Sequence, residues 1–178
     1  MIYEFSLLIV YKDTNITALD VPISADEYEN ISKIQQQVLE QLASDQPSSV
    51  ILNSLCILAE SLLPNSVASI MMLDKKSSLI SVICAPSSPK AGHDALTNLQ
   101  PGPHGDSCGN AVFHNNAQFV RNAFEDPRWQ DLRQVAYDFN LWSCWSMPIR
   151  DKNKQAIGPF ALSSFEHRTP APFHKKLL

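Results

Sequence analysis

An α+β domain built on an antiparallel sheet is predicted by three observations. Strand-like runs, the first two β-rich, come in two pairs, each pair joined by a short polar turn; amphipathic helix patterns precede the first pair; and a middle dense in Pro, Gly and Ser separates the two pairs. With 178 residues, 44% of them hydrophobic and 18% charged, the chain can close one core and is too short for two ordinary domains.

The first segment, 1–46, reads as an N-terminal strand and a linker helix. Ile2 to Lys12 has strand character, and a polar turn leads from it to the extended "LDVPIS". In "SADEYENISKIQQQVLEQLAS" Ser24 and the carboxylates behind it suit a helix start, where free amides favour negative charge. Ile31, Ile34, Val38 and Leu42 form a narrow stripe flanked by Gln, Lys and Glu, a pattern that serves either for pairing with another helix or for packing on the helix's own domain. The main domain, 47–178, opens with a helix from Pro47 or Ser48 to about Leu63, with Pro47 suited to the first turn and Pro64 to the stop. Its wider face of Val50, Ile51, Leu55, Leu58, Ala59 and Leu62 should lie on a sheet.

"SVASIMMLD" (66–74) and "SSLISVICAP" (77–86) form a hairpin across a Lys-Lys-Ser-Ser turn. The stretch 86–105 is a loop with a short helix expected near Asp94 to Leu99. In "GDSCGNAVFHNN" either Asp106 or Ser107 caps a helix whose first turn holds Cys108. A helix start lowers a thiol's pKa and attracts small anions, but Asp106 as the cap would fill the anion site itself and oppose a thiolate; a small buried thiol that only fills space is the competing reading. "AQFVRNAF" is a short strand, and "DPRWQDLRQVAYDFN" a helix capped by Asp126 with Pro127 in its first turn. "LWSCWSMPIR" and "QAIGPFALSSFE" are strands joined by "DKNK". Pro159 removes a ladder donor, so its strand is expected at an edge or bulged there. "TPAPFHKKLL" holds the first turns of a helix without a C-cap, the expectation being either a fragment of a longer protein with this helix truncated or an unusually short final helix.

Composition excludes several functions. A net charge of −4, with no Lys or Arg cluster larger than the pairs Lys75-Lys76 and Lys175-Lys176, leaves no nucleic-acid footprint. Cys56, Cys84, Cys108 and Cys144 form no CxxC pair, and His93, His104 and His114 stand at no ligand spacing, so a metal site is not expected. The apolar run "FSLLIV" is far below the roughly 20 residues of a membrane span and has no signal-peptide flanks, so a cytoplasmic protein with free thiols is expected.

Residues 101–170 carry more specific information. Ser107-Cys108-Gly109 with Ala111, then Phe119-Val120, Asp126 to Trp129, Cys144 to Ile149 and Gly158 to Leu162 follow one another in an order that resembles the GAF domain, a sensory α+β module related to the PAS fold. The resemblance spans roughly 45–178. It departs from the family at Asp106, where glycine is usual, at Trp142, where a smaller residue is common, and at Pro159, where threonine is usual.

The resemblance implies an antiparallel sheet with helices packed on one face and an irregular cap on the other, closing a single pocket that Cys108 borders. Cys108, Phe113, Trp129, Trp142, Cys144 and Ser146 are the candidate ligand-binding residues. Alternation puts Trp142, Cys144 and Ser146 on one face of their strand and Ser143, Trp145 and Met147 on the other, without saying which faces the pocket. Arg121, Arg128 and Arg133 would meet an anionic ligand or, equally, the acidic residues beside them. The implied function is regulatory sensing of a small molecule or a redox change in a bacterial signal-transduction protein, such as a histidine kinase of a two-component system or a cyclic-di-GMP enzyme. The chain itself would be non-catalytic, a homodimer through its flanking helices, with no nucleic-acid partner and no cofactor that the sequence identifies. A dimerisation module with a filled pocket is the alternative. A third reading is a thiol enzyme like free methionine-(R)-sulfoxide reductase, a GAF-type enzyme with a cysteine in a similar Cys-Gly position; against it, 85–107 holds no second cysteine to resolve an oxidised Cys108.

Overall fold

Two helices enter the domain from its N-terminal side. A computed structural model describes residues 24–177, so the expected strand and extended segment before Ser24 lie outside the described residues. Helix α1 (Ala25–Leu42) starts as its sequence dictates: the Ser24 hydroxyl accepts from the Glu27 amide, and the Glu27 carboxylate accepts from the Ser24 amide, a reciprocal capping box. Of its stripe only Ile31 is fully buried, while Ile34, Val38 and Leu42 are half-buried. Helix α2 (Ser48–Leu62) follows, with Pro47 at the N-cap rather than in the first turn.

Among the described residues the sheet has five strands, β1 (Ser66–Asp74), β2 (Leu79–Cys84), β3 (Gln118–Val120), β4 (Ser143–Arg150) and β5 (Ala156–Ser164), in the order β2-β1-β5-β4-β3 with every pair antiparallel. The hairpin turns are written locally. Asp74 accepts from the Lys76 amide at 3.0 Å and the Ser77 hydroxyl at 2.8 Å. Asp151 accepts from the amides of Asn153 and Gln155 at 2.9 and 3.0 Å.

Strand β5 lies at the centre of the sheet, so the edge position expected for Pro159 is overturned. Pro159 sits opposite Pro148 of β4 and one residue past the last β1 pair, Ile70 with Phe160, where no ladder bond needs its missing N–H. The register shifts fall beside it, at Ile149/Arg150 of β4 and Ile70/Met71 of β1. Next to it, a side chain on Gly158 would place its Cβ 2.0 Å from the Met71 carbonyl oxygen, so only glycine lets the two backbones approach.

Both faces of the sheet are covered. On one, Cys56 and Leu63 from the α2 region pack with Ala68, Ile70, Trp145, Met147 and Leu162. The terminal helix α6 (Pro172–Leu177) lies on the same side, with its His174 ring 5.3 Å from Trp145. The other face carries the lid: α3 (Lys90–Ala95), α4 (Ser107–His114), a 3-10 turn (Pro127–Leu132) and α5 (Arg133–Asp138). Its core joins Met71, Ile80, Cys108, Val112, Val120, Trp129 and Cys144. Two lid elements differ from expectation. The first helix begins four residues before Asp94 and ends at Ala95, so it shares only Asp94 and Ala95 with the expected segment, and Leu99 instead bridges back to Ile80 of β2 through a pair of hydrogen bonds of 2.8 and 2.9 Å. The helix expected from Asp126 starts on that cap, but runs as a 3-10 turn before α5.

Candidate functional site

Helix α4 settles the question raised by Cys108. Asp106 is its N-cap, accepting from the amides of Cys108 at 3.1 Å and Gly109 at 3.0 Å, so the helix's own carboxylate fills the anion site. Gly109 is required by close approach, because a Cβ there would lie 2.8 Å from the Gln100 carbonyl oxygen. Burial raises the Asp106 carboxyl above its ordinary pKa, against the two amides that hold it ionised.

Beneath the cap lies a closed cluster of thiols and hydroxyls. The Ser146 hydroxyl is 3.3 Å from Cys108 Sγ and 3.5 Å from Cys144 Sγ, and the Ser163 hydroxyl donates to Cys144 Sγ at 3.5 Å. Trp129 is buried over them, its indole donating to the Ser107 hydroxyl at 3.2 Å. Cys108 is held protonated by its interaction with Cys144, by burial and by the Asp106 charge. Cys144 is pushed in the opposite direction, chiefly by Cys108 and then by the hydroxyls of Ser107, Ser146 and Ser163. Of the two thiols, Cys144 is therefore the more acidic.

The hollow is beside this cluster rather than in it. A cavity of about 320 Å³ lies between β1, β2 and the end of β5 on one side and α3 and the chain after α5 on the other. Val67, Val82, Leu96 and Phe139 give it apolar walls, and Ser69, His93 and Ser163 supply polar groups. The volume falls in the range of small-molecule pockets, apolar with few polar groups. His93 is oriented by a 2.9 Å hydrogen bond between its Nε2 and the Ala85 carbonyl. Among the described residues, no Lys or Arg lines the cavity. Ser163 belongs to both regions, since it lines the cavity and bonds to Cys144. A more open cleft, lined in part by His104 and Arg128, offers little to an anion: Arg128 is engaged with both carboxylate oxygens of Asp126 and with Gln118 and the Phe119 carbonyl.

The structure divides the six candidate residues. Cys108, Trp129, Cys144 and Ser146 meet under α4, which fixes the lid-facing side of β4 as the one bearing Cys144 and Ser146. Phe113 is on the outer side of α4 and 53% exposed, so it is not in the wall. Trp142 lies outside the cavity, half-buried between the rings of Phe124 and His167 at 4.9 and 4.7 Å. None of the six lines the cavity, and Cys108 is separated from it by Cys144 and Ser163. The residues that sequence reasoning missed are Ser69, His93 and Ser163. The alternation of 66–74, which sets Val67, Ser69 and Met71 on one face, was the available signal for the first.

Three comparisons bear on this arrangement. The family model described as the GAF domain matches residues 31–178. The methyl sulfide methyltransferase-associated sensor of Methanosarcina acetivorans is 28% identical over 144 residues, which are 81% of this chain and 14% of that protein, so this chain spans about a seventh of the relative's length. Among solved structures, the GAF domain of an Acinetobacter phosphoenolpyruvate-protein phosphotransferase aligns with a TM-score of 0.65 at 13% identity over 87% of each chain. Free methionine-R-sulfoxide reductase from Neisseria meningitidis, solved with its substrate, aligns with a TM-score of 0.65 at 15% identity, covering 91% of this chain and 89% of that one. At these identities the two structures speak for the fold alone.

Proposed function

This chain belongs to the GAF domain family, and we propose that it is the regulatory, non-catalytic sensing domain of a longer signalling protein, with its ligand in the cavity between β1, β2 and α3. The observation that carries this reading is a cavity of about 320 Å³ with apolar walls into which Ser69, His93 and Ser163 face, in a relative of a protein named as a sensor. The absence of Lys and Arg among the described residues of its lining favours a neutral or cationic ligand over a phosphate or a nucleotide. Binding would tighten α3 and the chain after α5 on the sheet. To signal, the ligand must prefer one of two arrangements of the flanking helices, since equal affinity for both shifts nothing.

A homodimer through α1 and α2 is part of the proposal, and its support is the exposure of Tyr28, Leu39, Val50 and Ile57 on these helices. A histidine kinase or a cyclic-di-GMP enzyme would be a fitting output. The enzyme alternative is weakened by the burial of Cys108 and by a partner, Cys144, that lies on the sheet rather than in the lid. A thermal-shift screen of neutral metabolites, amino acids, nucleotides and small anions tests the sensing reading. A stabilising hit that Ser69→Leu abolishes supports it; a screen without hits, on a chain that sediments as a dimer, leaves the dimerisation module. Methionine sulfoxide reduction that disappears in Cys108→Ser would establish the enzyme instead.

A further inference from the structure

The other two cysteines form a second pair on the opposite face of the sheet. Cys56 is in the second half of α2 and fully buried; Cys84 is the last residue of β2 and 7% exposed. Their sulfur atoms are 3.8 Å apart, although 28 positions separate them in the sequence. A disulfide needs about 2.0 Å, so each sulfur has to move by about 1 Å. Among the described strands β2 is the outermost on its side of the sheet, and Cys84 is its last residue, slightly exposed where Cys56 is not; Cys108 and Cys144 are enclosed between α4 and β4. We propose that Cys56 and Cys84 are a thiol pair that closes to a disulfide under peroxide stress and clamps α2 to the sheet edge beside the cavity.

The chemistry balances with a hydroperoxide as oxidant. The Cys84 thiolate attacks the outer peroxide oxygen, the O–O bond breaks, and the departing alkoxide or hydroxide takes up a proton, leaving Cys84 as a sulfenic acid. Cys56, losing its proton, then attacks the Cys84 sulfur, and the sulfenic oxygen leaves as water. Two thiols are oxidised by two electrons and one peroxide is reduced. Cys84 is the first to react because Cys56 is sealed in the core. Asn53 Oδ1, 3.0 Å from Cys84 Sγ, accepts a hydrogen bond from the thiol in the resting state. Burial raises the pKa of both thiols, so the thiolate is scarce at neutral pH and the pair answers sustained rather than trace oxidant. The consequence reaches the cavity through the next residue, since the Ala85 carbonyl fixes His93. This inference is independent of any ligand.

Trypsin separates the four cysteines, placing Cys56 in residues 34–75, Cys84 in 77–90, Cys108 in 91–121 and Cys144 in 134–150. The folded chain is treated with hydrogen peroxide, alkylated in denaturant, digested without reductant and read by mass spectrometry. The expected result is a 34–75/77–90 cross-link that dithiothreitol reverses, with a rise of about 5 °C in the unfolding midpoint and slower amide exchange in α2. Cys56→Ser and, separately, Cys84→Ala should each lose both the cross-link and the rise. Cys56 and Cys84 still open to alkylation while Cys108 and Cys144 have cross-linked, or a 34–75/77–90 cross-link without added protection in α2, would overturn the proposal.

Discussion

The lid-covered face of the sheet has a packed half and a hollow half. Over β3, β4 and the adjoining part of β5, helix α4 presses Cys108 and Val112 down beside Trp129 and Cys144, and every hydroxyl there has a partner. Over β1 and β2 the shorter α3 spans a cavity of about 320 Å³. The residue chemistry explains the difference. The packed half is closed by a buried Trp and an N-capped helix whose glycine lets Gln100 approach. The hollow half has small residues, Ser69, Ala85 and Ser163 among them, set between its larger apolar walls, and these do not fill the space across it. A motif thus lies in the closely packed half, while the hollow lies next to it.

The largest expected effect breaks the packed half. Trp129→Ala should cost about 4 kcal/mol in urea unfolding, because it opens a large cavity in a closed cluster and leaves Ser107 without its indole donor. A loss below about 1 kcal/mol would mean that this half is as loose as its neighbour. Glycines sharpen the contrast next. Gly109→Ala drives a Cβ into a carbonyl oxygen of the backbone and should cost about 2 kcal/mol. Gly92→Ala comes tight only to the Ser88 hydroxyl, at 2.9 Å, which can rotate away, and makes ordinary contact with the Phe139 ring at 3.6 Å; the gain in helix propensity makes it neutral or stabilising by up to about 1 kcal/mol.

Asp106 gives a smaller, pH-dependent effect. Its carboxyl is raised in the folded state, so that state holds the proton more tightly than the unfolded one. The contribution is fully present below the unfolded value near pH 4 and is lost as pH rises through the folded one. Asp106→Asn keeps the cap and should flatten this part of the stability profile, with stability at pH 7 equal to or above the parent's. Asp106→Ala removes the cap and should lose about 1 kcal/mol. Chemical denaturation between pH 3 and 8 reads both. Smallest of all, Ser69→Leu partly fills the hollow and should change stability by less than about 1 kcal/mol, in contrast to any enlargement on the α4 side.

Most of the fold was legible because its signals are local. The run 66–74 is a strand over its whole predicted length, and its hairpin is pinned by Asp74 within the turn itself. Asp126 caps its turn, and Ser24 with Glu27 starts α1, through contacts three residues apart or fewer. The misplaced first lid helix had no such signal: it begins after Pro89, has no side-chain cap and contains Gly92. The 3-10 turn departs from the expected helix where Trp129 is anchored on Ser107, a contact across 22 residues that no local pattern carries. For the site, the motif gave the Cys108 cluster, but the cavity is assembled from α3, β1, β2, β5 and the chain after α5, segments whose small residues have no distinctive spacing.

The sequence by itself determined the family, the two hairpins, the helix before them, and which side chains of β4 share a face, because hydrophobic period, turn chemistry and capping act over a few residues. Only the tertiary structure decided that Cys144 and Ser146 face the lid while Trp145 and Met147 face α2, that β5 is central despite Pro159, and that the hollow lies beyond Ser163 rather than against Cys108. The reason is that this sheet is buried on both faces. With apolar side chains on either side of β4, alternation separates two sets of residues but does not assign them, and that assignment comes from the volumes of the helices that pack on each side.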